Sequence, residues 1–279
     1  MSRLLMLLLA LLVYAPANAQ FELEPQFAVN VTQIVDPVLP GEGVGYAAVG
    51  FDGSDYWVAR WASSRFTRIS QAGAYLDSFD IPDLIGTRSL TWDGTHFWAA
   101  NNTAVLSRID PQTRTVVATL AVPTTVRYAS YDATADGGAG GFWVGGYSTD
   151  LLLVDMTGNV LQTIAADTIG IGGRYGVAVD TTGDTAVLWV FYQGGTNNVQ
   201  LGAIDLPEGT PRAESLDLLA FVPNATSALA GGLFRTSDLP DGQNRLLALA
   251  QGDPDNAFVA VRIIAPRIFA DGFEGEATL

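Results

Sequence analysis

The chain has 279 residues and no cysteine, and its 14 basic residues, all arginine, face 29 acidic ones for a net charge of −15. Such an acidic surface repels phosphate backbones and anionic lipid, which excludes nucleic acid as a partner class. The lack of cysteine excludes thiol nucleophiles, disulfide staples and a lipoprotein anchor, and a single histidine, His96, excludes metal centres built from several imidazoles.

Residues 1–19 read as a secretory signal peptide. Arg3 supplies the basic end, Leu4 to Val13 an apolar run, and Ala17-Asn18-Ala19 a small-x-small cleavage site before Gln20. The expected location is therefore secreted or periplasmic. No other stretch approaches the roughly 20 apolar residues that a membrane-spanning helix needs.

Beyond that segment an aromatic–Trp step recurs behind a turn-forming Asp: FDGSDYWVA from Phe51, WDGTHFWAA from Trp92, FWVGG behind Asp132 and LWVFY behind Asp180. The paired residues Trp57, Trp98, Trp143 and Trp189 lie 41, 45 and 46 residues apart. That period is one four-stranded blade, so the predicted fold is an all-β propeller over residues 20–265.

The first repeat divides into strands Tyr46–Phe51, Tyr56–Trp61, Phe66–Ser70 and Tyr75–Ile81, with Asp52-Gly53 and Gln71-Ala72-Gly73 as turns. The second gives Ser89–Trp92, Phe97–Ala100, Val105–Asp110 and Thr115–Val122. Strands Tyr128–Tyr131, Gly141–Gly145, Leu151–Asp155 and Val160–Ile164 form the third. The fourth gives Gly176–Val179, Val187–Tyr192, Gln200–Asp205 and Ala213–Phe221. The fifth supplies only Ala228–Phe234, Arg245–Gln251 and Phe258–Ile264. Its missing strand is assigned to Phe27–Val35, which would close the ring and remove its free edges. Five blades follow, or six if residues 206–243 hide another. Residues 266–279 lack periodicity and read as a tail.

The Asp-Gly step leading into Tyr-Trp-Val-Ala (52–59), with the run Arg108-Ile109-Asp110-Pro111-Gln112-Thr113, resembles secreted bacterial propeller repeats of the NHL/YVTN-like type. The resemblance spans residues 27–265 and implies the architecture; such repeats serve binding modules, scaffolds and some enzymes. Ile268-Phe269-Ala270-Asp271-Gly272-Phe273-Glu274 in the tail resembles a short C-terminal motif of exported proteobacterial proteins.

Asp52, Asp93, Asp132 and Asp180 all follow the innermost strand, where Asp-Gly chemistry makes tight turns rather than a metal ring. Asp132 to Gly137 resembles a calcium loop but lacks a third ligand and the terminal Glu. Streptogramin lyases, similar at the repeat level, use histidine at the active site; His96 sits in a turn on the opposite face, and that role does not carry over. No Gly-x-Ser-x-Gly elbow is present. The acids Asp36, Glu42, Asp83 and Asp167 fall in loops, which argues against a glycosidase pair. Asn30, Asn101 and Asn224 begin sequons read as chance matches in a bacterial chain.

Alignment on the turn Asp puts Arg88 and Arg127 five residues before it and Arg174 six before it, at the channel rim. Guanidinium forks suit carboxylate or phosphate recognition, and the alternative is that each Arg pairs with a nearby acid such as Asp83 or Asp167. Asn101, Tyr147 and Tyr192 would shape the mouth, on loops that also carry Arg60-Trp61, Asn102, Gln193 and Asn197-Asn198. The functional expectation is a monomeric binding module for a protein, peptide or glycan bearing an anionic group, without cofactor or metal. A lyase or hydrolase on an extracellular polymer, needing an open channel with convergent ionisable groups, is the rival, and a plain scaffold the third reading.

Overall fold

The computed structural model describes residues 20–183 and 185–265, and these form five four-stranded antiparallel sheets arranged as a five-bladed propeller. Strand β1 (Glu22–Asn30) is followed by helix α1 (Val31–Val35). Blade I comprises β2 (Tyr46–Phe51), β3 (Asp55–Arg60), β4 (Arg65–Ser70) and β5 (Tyr75–Asp80). Blade II has β6 (Ser89–Trp92), β7 (Phe97–Ala100), β8 (Thr103–Asp110) and β9 (Thr115–Val126). Blade III has β10 (Tyr128–Asp132), β11 (Gly141–Gly145), β12 (Leu151–Asp155) and β13 (Val160–Ile164). Blade IV has β14 (Arg174–Asp180), β15 (Val187–Tyr192), β16 (Gln200–Asp205) and β17 (Pro211–Asp217). Blade V joins β18 (Ser227–Thr236), β19 (Arg245–Asp253) and β20 (Asn256–Ile264) to β1, in the order β1-β20-β19-β18.

The ring therefore closes through the N-terminal strand, but eight residues of register run from Glu22↔Ile264 to Asn30↔Ala257, earlier than the sequence pattern places them. Apolar content misled the assignment at Val31–Val35. Those residues are helical because Asn30 turns the chain: its side-chain oxygen accepts the Gln33 N–H at 3.0 Å, an N-cap. The apolar residues Val31 and Val35 are buried by the helix rather than by a strand pleat. Likewise the fourth blade's outer strand stops at Asp217, and Leu219–Phe221 form a single 3-10 turn. Residues 206–243 hold no sixth blade; they contribute β17, the 3-10 turn, loops and the whole of β18.

Blade-on-blade packing explains the positive mean hydropathy. Inner strands such as β2, β7 and β15 are buried on both faces, whereas outer strands such as β1 and β5 alternate with solvent. Each Trp of the repeat sits in an apolar cluster between neighbouring blades: Trp57 with Phe97 and Phe258, Trp98 with Phe142, Trp143 with Val177 and Leu188, Trp189 with Leu246 and Val259.

The centre of the ring is shut. A Cβ on Gly176 would collide with the backbone of Gly232 and Leu233, and one on Gly232 would lie 2.9 Å from Ala47 O and 3.2 Å from Arg88 O. Small hydroxyls stitch the inner strands together across blades: Thr91 Oγ1 accepts Tyr131 N–H at 2.9 Å and Ser130 Oγ accepts Val179 N–H at 2.8 Å. What remains of the channel is two separate mouths.

Candidate functional site

One mouth is formed by the loops that enter the innermost strands, the other by the turns that leave them. At the loop mouth three arginines stand at the entry to the innermost strands. The backbone N–H of Arg88 donates to Ala100 O and that of Arg127 to Gly145 O across their own blades, while Arg174, opposite Tyr192 in its own blade, donates to Tyr147 O of blade III, each bond at 2.8 Å. The spacing of six rather than five in blade IV comes from a bulge between Arg174 and Gly176. The extra residue, Tyr175, is re-aimed by that bulge.

Of the 14 arginines, Arg3 and Arg267 lie outside the described residues, leaving twelve. Nine of these (Arg60, Arg65, Arg68, Arg108, Arg114, Arg212, Arg235, Arg245 and Arg262) have a carboxylate within 4.0 Å. The three without one among the described residues are Arg88, Arg127 and Arg174. On a chain with twice as many acids as bases, that selection is the most informative property of the loop mouth.

Arg88 and Arg127 share one recess. Arg127 Nη1 donates to Arg88 O at 2.9 Å, and its guanidinium lies 4.9 Å from the ring centre of Tyr175 and 5.7 Å from that of Tyr147. The two tyrosine rings meet edge to face at 4.7 Å. Arg88, half-buried, lies 5.6 Å from the ring centre of Trp61. Trp61, Arg88, Arg127, Tyr147 and Tyr175 thus form a cation–aromatic chain crossing four blades, each contact contributing about 0.5–2 kcal/mol. Arg127 is only 1% exposed. Burial pulls its guanidinium down to about 10; Tyr147 opposes that fall and the Arg88 charge adds to it. It remains a cation at neutral pH, and an unpaired buried cation costs several kcal/mol that a bound anion would recover.

Arg174 is set apart from this recess. It is buried, but its Nε donates to Tyr128 Oη at 3.0 Å, Nη1 to Ile171 O and Nη2 to Thr149 O. Three neutral acceptors hold it as a strut between blades III and IV, so the arc of three arginines narrows to two. None of the three pairs with Asp83 or Asp167. Asn101 lies on the same mouth but is engaged locally, accepting from Thr103 Oγ1 at 2.7 Å and reaching Ile85 O at 3.5 Å. Tyr192 is turned away, its ring against Gly194 and Gly202 within blade IV, where burial raises its hydroxyl. Tyr147 is part of the recess, and Tyr175 joins it; the only sequence trace of Tyr175 was the irregular six-residue spacing.

The turn mouth has the opposite electrostatics. Each repeat Asp is bonded, and in three blades it holds the repeat Trp: Asp52 accepts Trp57 Nε1 at 2.7 Å, Asp93 accepts Trp98 Nε1 at 2.8 Å and Asp132 accepts Trp143 Nε1 at 3.1 Å. The remaining oxygen caps the turn, as Asp93 does for Thr95 and His96 N–H. Blade IV departs from the rule. Asp180 faces Arg235 at 3.2 Å and accepts from Asn244 Nδ2 at 2.7 Å, leaving Trp189 Nε1 buried without a partner among the described residues. A cavity of about 300 Å³ opens here, lined by Thr91, Asp93, Ser130, Tyr131, Asp132 and Arg235 among others. Its carboxylates are all spent on indoles, turn amides or hydroxyls. In the calcium-like loop Asp132 to Gly137, Asp132 is engaged by Trp143 and Thr134. His96 is a turn residue whose Nδ1 lies 2.8 Å from Arg108 Nη2. The sequon residues Asn30 and Asn224 both donate to the Asp255 carboxylate, at 2.8 and 2.9 Å.

No protein-family model and no curated protein sequence matches the chain. Among solved structures it is similar to the crystal structure of Myxococcus xanthus glutaminyl cyclase, with a TM-score of 0.60 and 10% sequence identity, over 87% of this chain and 97% of that one. At that identity the likeness is one of fold. Among the described residues no helix is long and apolar enough to cross a membrane.

Proposed function

We propose that the chain is an exported propeller that binds an anionic ligand at the loop mouth, with Arg88 as the accessible cation and Arg127 as a buried charge behind it. The observation that carries this reading is the pairing pattern: nine described arginines have carboxylate partners, while Arg88 and Arg127 meet aromatic rings, a carbonyl and the Tyr147 hydroxyl, with no carboxylate among the described residues. A carboxylate laid on Arg88 would gain charge-assisted hydrogen bonds. Trp61, 44% exposed, and Tyr147, 36% exposed, offer flat faces for whatever carries the anion, such as a sugar ring or a peptide side chain. The basic end, apolar run and cleavage pattern of residues 1–19 support export.

A binding role is favoured over catalysis because the ring centre is sealed and the turn-mouth carboxylates are occupied. Titration of Trp fluorescence with citrate, inorganic phosphate, polygalacturonate and a glutamate-rich peptide tests the reading, since Trp61 flanks Arg88. At least one anion should quench, with about tenfold weaker binding in Arg88→Gln. No binding across the panel in wild-type protein, or equal binding by Arg88→Gln, would remove the proposal.

A further inference from the structure

The seam between blades IV and V holds a second built feature, at the start of the described chain. Phe21 N–H donates to Glu214 Oε1 at 2.9 Å, its ring meets Trp189 edge-on at 5.6 Å, and the Arg212 guanidinium lies 5.1 Å from its ring centre. Glu214 is buried and bonded to Arg212 at 2.9 Å. The peptide linking Gln20 to Phe21 is thereby fixed, while Gln20 itself is exposed beside a cavity of about 450 Å³ lined by Gln20, Phe21, Glu22, Ala213, Glu214 and Ser215 among others. Residue 20 is also the first after the small-x-small site Ala17-Asn18-Ala19.

We infer that Gln20 is a modification site: released as the N-terminus by cleavage after Ala19, it cyclises to pyroglutamate. This rests on the export part of the proposed function and not on the anion site. The chemistry needs no co-reactant. The free α-amine attacks Cδ of its own carboxamide, the new N–Cδ bond closes a lactam, the Cδ–Nε2 bond breaks, and ammonia leaves with one proton from the amine. The anchored Phe21 amide takes no part, and the open cavity leaves the ring room to form. Glu214 is already engaged by Arg212 and Phe21.

The consequence follows from the topology. β1 begins at Glu22, two residues after the processed end, and it is the strand that closes the ring. A chain end with a free amine invites stepwise trimming into that strand. A lactam removes the amine that aminopeptidases require.

The test is mass spectrometry of the full chain freshly exported from a secreting bacterial host. The N-terminal peptide should start at residue 20, weigh about 17 Da less than the glutamine form and resist amine labelling. A start at another residue would overturn the inference through its processing premise; a start at Gln20 with a free amine would overturn it through the chemistry. Anion titration of the same sample, unaffected by either result, reports separately on the loop mouth. In a Gln20→Ala variant processed at the same bond, aminopeptidase should release residues about tenfold faster or more; equal resistance would overturn the protective role.

Discussion

The two mouths of the ring solve the problem of buried charge in opposite ways. At the turn mouth, acids and donors were placed together: Asp52, Asp93 and Asp132 hold indoles and turn amides, and Asp180 faces Arg235. At the loop mouth, Arg88 and Arg127 sit with aromatic rings and no carboxylate among the described residues. Charge that is already neutralised within the fold contributes to architecture. Charge that is left over on an acidic protein is available to something else, and the difference lies in the partners rather than in residue type.

The sharpest way to break this contrast is one substitution made at both ends. Arg235→Met leaves Asp180, whose side chain is 3% exposed, without its cation, and should destabilise by about 3 kcal/mol. Arg127→Met removes a buried charge that has no counterion among the described residues; relief of its desolvation cost offsets the lost ring contacts and hydrogen bond, so the variant should not be destabilised by more than about 1 kcal/mol. Urea unfolding of the two variants measures both. Equal costs would mean that Arg127 has a hidden partner and that the mouths do not differ.

A smaller effect probes the turn mouth alone. Trp57→Phe deprives half-buried Asp52 of a hydrogen bond, whereas Trp189→Phe deletes an indole N–H with no bonding partner among the described residues. Both lose similar ring volume, so the difference isolates the bond. Trp57→Phe should cost about 1 kcal/mol more than Trp189→Phe in the same unfolding assay. A reversed order would show that blade IV keeps its indole bonded in solution.

The repeat made the architecture legible because Trp spacing and Asp-Gly turns are local signals with one physical cause each. It did not reveal that the same Asp holds the same Trp: that bond joins residues five apart in blades I and II but eleven apart in blade III, where the turn is longer. Register also brought Arg88, Arg127 and Arg174 together correctly as backbone positions. It could not tell that Arg174 would turn toward Tyr128, Ile171 and Thr149, since side-chain direction depends on partners from other loops. Tyr175 was hidden for a related reason. A bulge leaves only an extra residue in the spacing, and sequence does not say which way that residue points. The helix at Val31–Val35 was misread because a short apolar run fits either period, and the deciding signal was the capping Asn30.

Acid titration extends the contrast to pH. Burial raises the Asp180 carboxyl, but Arg235, Thr182 and Asn244 outweigh it and hold the group below its ordinary value. A depressed carboxyl adds stability above its unfolded value of about 3.9, and that stability is lost as pH falls through the lower folded value. Melting temperature should therefore drop more steeply below about pH 4 in wild type than in an Asp180→Asn, Arg235→Met double variant. Equal slopes would assign the acid sensitivity to other carboxylates, such as Asp255 with its three amide donors.

The smallest expected effect lies at the loop mouth and has the opposite sign of charge. No histidine or carboxylate among the described residues takes part in the recess, and burial raises the Tyr175 hydroxyl. Affinity for polygalacturonate, whose own acids are ionised above about pH 5, should be flat to about pH 9. It should then weaken as pH passes the value near 10 to which burial has lowered Arg127, because the unliganded site loses its second cation there. Arg127→Met should bind more weakly throughout and show no such alkaline fall, whereas Arg88→Gln, which keeps Arg127, should retain it. If the Arg127→Met variant keeps the wild-type fall, Arg127 is not its cause. The buried cation would then belong to the scaffold, as Arg174 does, and Arg88 with Trp61 would carry recognition alone.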